Sequence, residues 1–354
     1  MMSKKLKVFL TFGSCLSASA LLLPILFFVS SPKFAQTEMR RAIYRRVVRQ
    51  AVEHEKQSPE AQAKAIFDFV REHQYAYAGF EPKSGSHLQN MVRGIGWCNQ
   101  QADMLTRLLR EVHIQARVLF LFPKGSDISP HSVAEVRIGE KWVVMDPYSS
   151  AIFRDKTLGT LLSAEEIRKK LETQREEDVE NMLEPPRRPP LSFYSGLPKI
   201  HAPNFEEPFQ EKSKYLIWGF VRDRFGIPLD RLMVRLYVFR YLDTKSARDS
   251  YWAAKLFYLA GLPEDAEKNF AVAVLKADKT TLLSQAMLWR AANFMRMGEY
   301  QKSLRQLNSL SGKLVPVQIL NFWRGKNLVA LNNLVEARKF FENAEGTPRD
   351  RYLN

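Results

Sequence analysis

Two stretches of the sequence decide the fold: GWCNQQADMLTRLLR at residues 96–110 and HSVAEVRIGEKWVVMDP at residues 131–147. In the first, apolar residues recur at helical spacing after a glycine-bearing start, which predicts a helix that begins beside Cys98. The second contains two apolar runs joined by a glycine, which predicts a β-hairpin. With helices and a long loop before them, these stretches predict an α+β domain over residues 36–160.

Three side chains of this domain form a candidate catalytic set. Cys98 lies where a loop meets a helix, and the unpaired N–H groups and the helix dipole at such a junction favour a reactive thiolate. Antiparallel pairing through the hairpin brings His131 and Asp146 to the same end of the sheet. The pattern therefore predicts Cys98 as nucleophile, His131 as base and Asp146 as the orienting acid. The alternative is a buried structural cysteine, a strand-capping histidine and an ordinary Asp-Pro turn.

The motifs at residues 96–102, 114–118, 131–136 and 142–147 resemble, in order, those of the bacterial transglutaminase-like superfamily. The resemblance implies a papain-like α+β core with Cys98, His131 and Asp146 as its catalytic residues. Two features depart from the usual family pattern: Gln115 replaces a proline, and Ser132-Val133 replaces a small-aromatic pair. The family includes protein cross-linkers, peptidases, amide hydrolases and inactive members, so the resemblance leaves the substrate open.

Three further residues are candidates for the pocket or the oxyanion site. Trp97 precedes the nucleophile, and Gln89 and His87 lie in the Gly-, Ser- and Asn-rich loop before it. Packing is the alternative role for each. We predict no metal site and no cofactor, because the histidines are scattered and no spacing of thiols and carboxylates fits zinc.

The N-terminal region carries an apolar run. From Leu6 to Ser31 only Lys7 is charged, and the run is long enough to cross about 30 Å of hydrocarbon. We expect residues 1–34 to be an uncleaved single-pass anchor, with a cleaved signal peptide as the alternative. Lysines before the run favour export, whereas the arginines after it favour the opposite orientation. We expect the rest of the chain, including the catalytic domain, to lie on the periplasmic side of a bacterial inner membrane.

The charge and composition restrict the class of partner. The chain has 354 residues and a formal net charge of +15, with 45% hydrophobic and 26% charged residues, which is a globular composition. The basic charge favours membrane or envelope polyanions. We expect no specific nucleic-acid partner, because no RNA-binding motif, zinc spacing or recognition helix is present.

The sequence pattern after residue 160 predicts a linker followed by a helical region. Ser163 and Glu166 form a capping box that opens a charged helix to about Leu183, and a Pro-rich linker or draped loop follows, giving a connecting segment over residues 161–212. Residues 213–354 are predicted to be helical. Turn residues at 261, 298 and 332 recur at intervals of 37 and 34, which resembles tetratricopeptide repeats; an irregular helical bundle is the alternative. Such repeats offer a surface to a protein partner.

These features together predict a membrane-anchored cysteine hydrolase or acyltransferase that acts through a thioester. We expect a peptidase or amidase acting on a peptide or envelope amide rather than a protein cross-linker. The alternative function is a noncatalytic transglutaminase-like scaffold that assembles envelope proteins through its helical repeats.

Overall fold

The structure is a computed structural model. It describes the following residues: 31–53, 58–75, 87–173, 175–182, 191–200, 216–278, 280–310, 312 and 315–344. The predicted N-terminal anchor lies outside these ranges, apart from its last residues. Within them, no helix combines the length and the apolar composition that crossing a bilayer demands.

Four helices form the N-terminal part: α1 (Pro32–Ala51), α2 (Pro59–His73), α3 (His87–Arg93) and α4 (Cys98–Arg110). The first two begin in the same way, with a serine N-cap followed by proline at the first helical position. The hydroxyl of Ser58 accepts a hydrogen bond from the N–H of Ala61 at 3.2 Å, and Ser31 caps α1 similarly. A serine cap stabilises a helix start, and proline there loses no hydrogen bond.

A six-stranded antiparallel sheet follows, with the spatial order β5-β4-β3-β2-β1-β6. Its strands are β1 (Ala116–Phe122), β2 (His131–Ile138), β3 (Lys141–Asp146), β4 (Ala151–Asp155), β5 (Val179–Asn181) and β6 (Leu197–Ile200). The predicted hairpin is β2–β3, in which Ala134 pairs with Met145 and Ile138 with Lys141. Gly139 makes the turn with a φ of 61°, a conformation that glycine adopts readily.

The segment after the hairpin differs from its prediction. The capping box opens helix α5 (Ala164–Glu172), but this helix ends well before Leu183, and β5 follows it. Residues 197–200, expected within a linker or draped loop, form β6 and pair with β1. Pro198 is tolerated there because β6 is an edge strand. At Gly196 a Cβ atom would lie 2.8 Å from the backbone of Phe122, so only glycine allows this close approach.

The C-terminal part is helical, as predicted. Its helices are α6 (Leu216–Tyr241), α7 (Ala247–Leu259), α8 (Pro263–Lys276), α9 (Thr280–Arg296), α10 (Tyr300–Asn308), α11 (Val317–Ala330) and α12 (Leu334–Glu342). Helix α6 is kinked at Gly226, where φ is 40° and ψ is −116°. Gly261, Gly298 and Asn332 all have positive φ and turn the chain between the helices of successive pairs. The assignment of these pairs to tetratricopeptide repeats stays a prediction.

The N-terminal and C-terminal helices share one hydrophobic core, and a second core lies between the sheet, α5 and the chain around Tyr194. His73 at the end of α2 stacks on Trp289 of α9, with ring centroids 5.5 Å apart. The hydroxyl of Tyr251 on α7 donates to the carbonyl of Val92 at 3.0 Å. The C-terminal helices therefore support the helices that precede the sheet, including the loop that leads to Cys98.

Candidate functional site

Cys98 is the first residue of α4. Its thiol is half-buried and forms no disulfide. The preceding loop is held in place by two glutamine side chains of the helix: Gln100 Oε1 accepts from the N–H of Trp97 at 3.0 Å, and Gln101 Nε2 donates to the carbonyl of Gly96 at 2.8 Å. The sulfur therefore lies on a fixed turn at the positive end of a helix dipole, where negative charge is stabilised.

His131 and Asp146 meet at one end of the hairpin, as its pairing predicts. His131 is the first residue of β2 and Asp146 is the last residue of β3. The Nε2 atom of His131 lies 2.5 Å from Oδ2 of Asp146. Asp146 thus occupies one imidazole nitrogen, which leaves Nδ1 for another partner.

Cys98 acts on this imidazole, because it is among the groups that raise the pKa of His131. Burial alone lowers the pKa of His131, but the charge and hydrogen bond of Asp146, together with Cys98, outweigh burial and raise this pKa to about 10. The imidazole is therefore protonated at neutral pH. A protonated imidazole beside the sulfur stabilises a thiolate.

Asp146 is fully buried and receives three hydrogen bonds in all. Besides His131, the hydroxyl of Tyr194 donates to Oδ2 at 2.5 Å, and the N–H of Ser149 donates to Oδ1 at 3.1 Å. Burial raises the pKa of Asp146, but His131, Tyr194 and Ser149 more than offset this, so the pKa is lower than that of an ordinary aspartate. Asp146 is consequently ionised, as an orienting carboxylate must be.

Aromatic rings enclose the imidazole. The ring of Phe193 stacks on that of His131 with centroids 5.6 Å apart, and the rings of Tyr194 and Tyr148 each lie 5.9 Å away. His131 is 2% exposed as a result. Water is largely excluded from the His131–Asp146 pair, which strengthens the electrostatic interaction between them.

The candidate pocket residues occupy different positions. Trp97 is 44% exposed beside the half-buried thiol. The prediction of a loop at His87 and Gln89 is wrong, because both lie in helix α3. His87 begins this helix, and its Nδ1 lies 2.7 Å from Oδ2 of Asp103, a carboxylate that also accepts from Arg107. Gln89 lies in the middle of the same short helix. The roles of Trp97, Gln89 and His87 at the oxyanion or pocket stay predictions.

The residues that support Asp146 and cover His131 were not predicted from the sequence. Tyr194 and Phe193 lie in the segment that had been expected to be a linker, and Ser149 lies in the turn after β3. The Asp-Pro-Tyr turn itself offered a signal for Ser149, because an aspartate often accepts from a backbone N–H two or three residues later. No comparable local signal marks Tyr194.

Comparison with known proteins found one family match. The model of one family, described as transglutaminase-like superfamily, matches residues 46–147. The matched region contains Cys98, His131 and Asp146, while Tyr194 lies beyond it. Comparison with curated proteins and with solved structures gave no match. The chain thus carries a transglutaminase-like core, which supports a cysteine-type enzyme, followed by many helices.

Proposed function

We propose that the protein is a membrane-anchored cysteine enzyme that cleaves or transfers acyl groups at amide bonds, with Cys98 as nucleophile, His131 as acid and base, and Asp146 as orienting residue. The observation that carries this proposal is the position of His131, whose Nε2 lies 2.5 Å from the Asp146 carboxylate and whose pKa is raised by both Asp146 and Cys98. A nucleophile beside a base that is itself oriented by a third group is the arrangement that activates a nucleophile.

The reaction has two halves. The Cys98 thiolate attacks the carbonyl carbon of an amide, and the imidazolium of His131 donates its proton to the departing amine, which leaves a thioester and a neutral imidazole. The imidazole then takes a proton from water or from an acceptor amine as that molecule attacks the thioester, and the thiolate departs. The N–H groups at the start of α4, with Trp97, are proposed to stabilise the negative oxygen of each tetrahedral intermediate.

Hydrolysis is the favoured outcome of the second half. Transfer to an amine requires that water be kept from the thioester, whereas hydrolysis needs only its entry. Cys98 is half-buried and its neighbour Trp97 is 44% exposed, so the nucleophile is accessible to water. We therefore propose a peptidase or amidase acting on a peptide or envelope amide rather than a protein cross-linker.

The proposed location is a bacterial inner membrane, with the body on the periplasmic side. The support is the apolar run from Leu6 to Ser31, which ends at the N-cap of α1. A reporter that is active only outside the cytoplasm, fused after Asn354, is expected to be active. Activity of a cytoplasm-specific reporter at the same position would overturn the location.

The C-terminal helices are proposed to bind a protein partner as degenerate tetratricopeptide repeats. The support is the set of three helix pairs, each turning at a positive-φ residue, with the turns at the intervals read from the sequence. Stacked helix pairs form extended surfaces suited to such binding.

Thiol labelling distinguishes the proposed enzyme from the alternative, a noncatalytic scaffold. Cys15→Ser leaves Cys98 as the only cysteine. A probe that acylates cysteine thiols therefore reports on this residue alone. We expect time-dependent formation of a thioester adduct, detected by intact mass, that is released by water. Loss of the adduct in Cys98→Ala is the specificity control, and loss in His131→Ala tests activation. Equal, slow labelling of the parent and His131→Ala would favour the scaffold.

A further inference from the structure

Helix α6 runs antiparallel to α1, so that its C-terminal end lies beside the start of α1. The Arg45 Nη2 atom contacts Asp230 Oδ1 at 2.5 Å. Nearer the start of α6, a Cβ atom at Gly226 would lie 3.7 Å from Nη1 of Arg49, and towards its end the charge of Arg40 acts on Tyr237. As the residue number falls along α1 it rises along α6, so Phe239 lies about level with residue 37 or 38.

Two apolar side chains project from this end of the molecule. Phe239 on α6 is 88% exposed and Leu275 on α8 is 83% exposed, more than any other large apolar side chain in the described ranges. Leu275 belongs to the same end because Lys276, its neighbour, donates from Nζ to the carbonyl of Lys245 at 2.8 Å, and Lys245 lies in the turn that follows α6.

The surroundings of these two side chains are basic. We use the name basal surface for six exposed residues: Lys33, Phe239, Arg240, Lys245, Leu275 and Lys276. Its four cations outnumber the exposed acidic residues of the same turns, Asp243 and Asp278. Exposed apolar side chains set among cations are the composition by which proteins bind the surface of an anionic bilayer.

We propose that the basal surface rests on the membrane, with Phe239 and Leu275 inserted at the interface and its cations against anionic phospholipid headgroups. This proposal rests on the N-terminal anchor of the proposed function. The apolar run outside the described ranges ends at Ser31, the N-cap of α1. At a rise of about 1.5 Å per residue, the level of Phe239 lies ~9 Å along α1 from Pro32, which is about the depth of a headgroup layer.

This contact fixes which end of the helical part faces away from the bilayer. The Arg46 Nε atom, near the end of α1, donates to the carbonyl of Ala260 at 3.1 Å. The turn at Gly261 is therefore at the opposite end of α1 from the basal surface. The membrane contact therefore orients the turn at Gly261, which joins α7 to α8, away from the lipid.

Site-specific photocrosslinking of the full chain tests the proposal. Benzoylphenylalanine is introduced at position 239, at 275 or, as a control, at 335. Val335 is 76% exposed and follows the turn at Asn332, so it matches the test positions in exposure and is not one of the basal-surface residues. The proteins are reconstituted into nanodiscs containing phosphatidylglycerol, irradiated and analysed for lipid adducts by mass spectrometry.

We expect lipid adducts at 239 and 275 in roughly tenfold excess over 335, because only the first two positions lie in the interface. Equal adducts at all three positions, no lipid adduct at 239, or a protein adduct at 239 in place of lipid would overturn the proposal. Alkaline extraction of membranes tests the anchor separately.

If the full chain is extracted, the anchor fails while the basal surface remains testable. Binding of the chain to phosphatidylglycerol vesicles should then fall about tenfold in Phe239→Asp, since the burial of one aromatic side chain is lost. Binding should be unchanged in Val335→Asp. Equal binding of Phe239→Asp and the parent would overturn the proposal.

Discussion

The hydroxyl of Tyr194 lies 2.5 Å from Oδ2 of Asp146, the same oxygen that contacts His131. Tyr194 is itself buried and lies in the segment that leads into β6, 48 residues beyond the aspartate. The phenol therefore sets where the carboxylate points and, through the carboxylate, how the imidazole is oriented.

Tyr194→Phe removes this hydrogen bond while keeping the ring. We expect kcat to fall more than KM changes, because a misdirected imidazole affects proton transfer rather than substrate binding. Loss of a hydrogen bond to a charged group also costs about 1.5–3 kcal/mol of unfolding free energy. Steady-state kinetics and thermal melts measure the two effects. Tyr300→Phe, at the half-buried start of α10, is the control; equal kinetics for both variants would show that Tyr194 does not position the site.

The contrast between Asp146 and Tyr194 shows how far sequence reasoning extends. His131 and Asp146 lie on adjacent strands joined by a two-residue turn, so the period of the strands and the glycine at 139 were enough to bring them together. Tyr194 reaches the same carboxylate from beyond a Pro-rich stretch. Its position depends on β6 pairing with β1, a tertiary contact that a four-residue strand containing Pro198 does not reveal.

The charge on His131 gives a prediction for the reactivity of Cys98. Because Asp146 and Cys98 raise the pKa of His131 to about 10, against the burial that opposes them, the imidazolium persists beside the sulfur through neutral pH. Alkylation of Cys98 by iodoacetamide should therefore continue at pH 5–6. In His131→Ala the rate should instead rise with pH towards the behaviour of an ordinary thiol, which titrates near 8.5.

Asp146→Asn should show a pH dependence of Cys98 alkylation between those of the parent and His131→Ala. The amide keeps the shape of the side chain but loses the charge that favours the imidazolium, so its alkylation profile should fall between the other two. All measurements use the Cys15→Ser background. Superimposed profiles for the parent and His131→Ala would mean that Cys98 and His131 are not coupled.

The segment that carries Tyr194 can be tested by fragment complementation. A fragment of residues 31–200 exposes the core face that α1–α4 present to the C-terminal helices, so we expect it to aggregate alone. Co-expression with residues 216–354 should restore soluble protein whose Cys98 reacts with the acyl probe. Residues 31–182 with the same partner lack Tyr194 and β6, and should form a complex with little labelling. Equal labelling of the two complexes would contradict a role for this segment.

His73 predicts an acid sensitivity at the junction of the two helical parts. The imidazole is stacked on Phe69 at 3.9 Å and on Trp289 at 5.5 Å, and its Nδ1 lies 2.9 Å from the carbonyl of Phe69. Burial lowers its pKa to about 3; Glu72 opposes this shift, while Lys255 and Arg296 add to it. His73 is therefore neutral in the folded protein at every physiological pH.

The lowered pKa makes folding stability depend on pH in one direction. In the unfolded chain the histidine takes up a proton below about pH 6.5, whereas the folded protein does not until about pH 3. Stability from the neutral histidine is therefore complete above pH 6.5 and is lost as the pH falls towards 3. At pH 5 the loss is ~2 kcal/mol of unfolding free energy.

Thermal melts between pH 7 and pH 4.5 measure this loss. His73→Leu should melt at a lower temperature than the parent at pH 7, because the stack on Trp289 is lost. Since leucine cannot take up a proton, its melting temperature should fall less steeply than that of the parent as the pH is lowered. The exposed His113→Asn controls for removal of a histidine as such and should follow the parent. If the melting temperature falls equally with pH in the parent and in His73→Leu, protonation of His73 is not linked to unfolding.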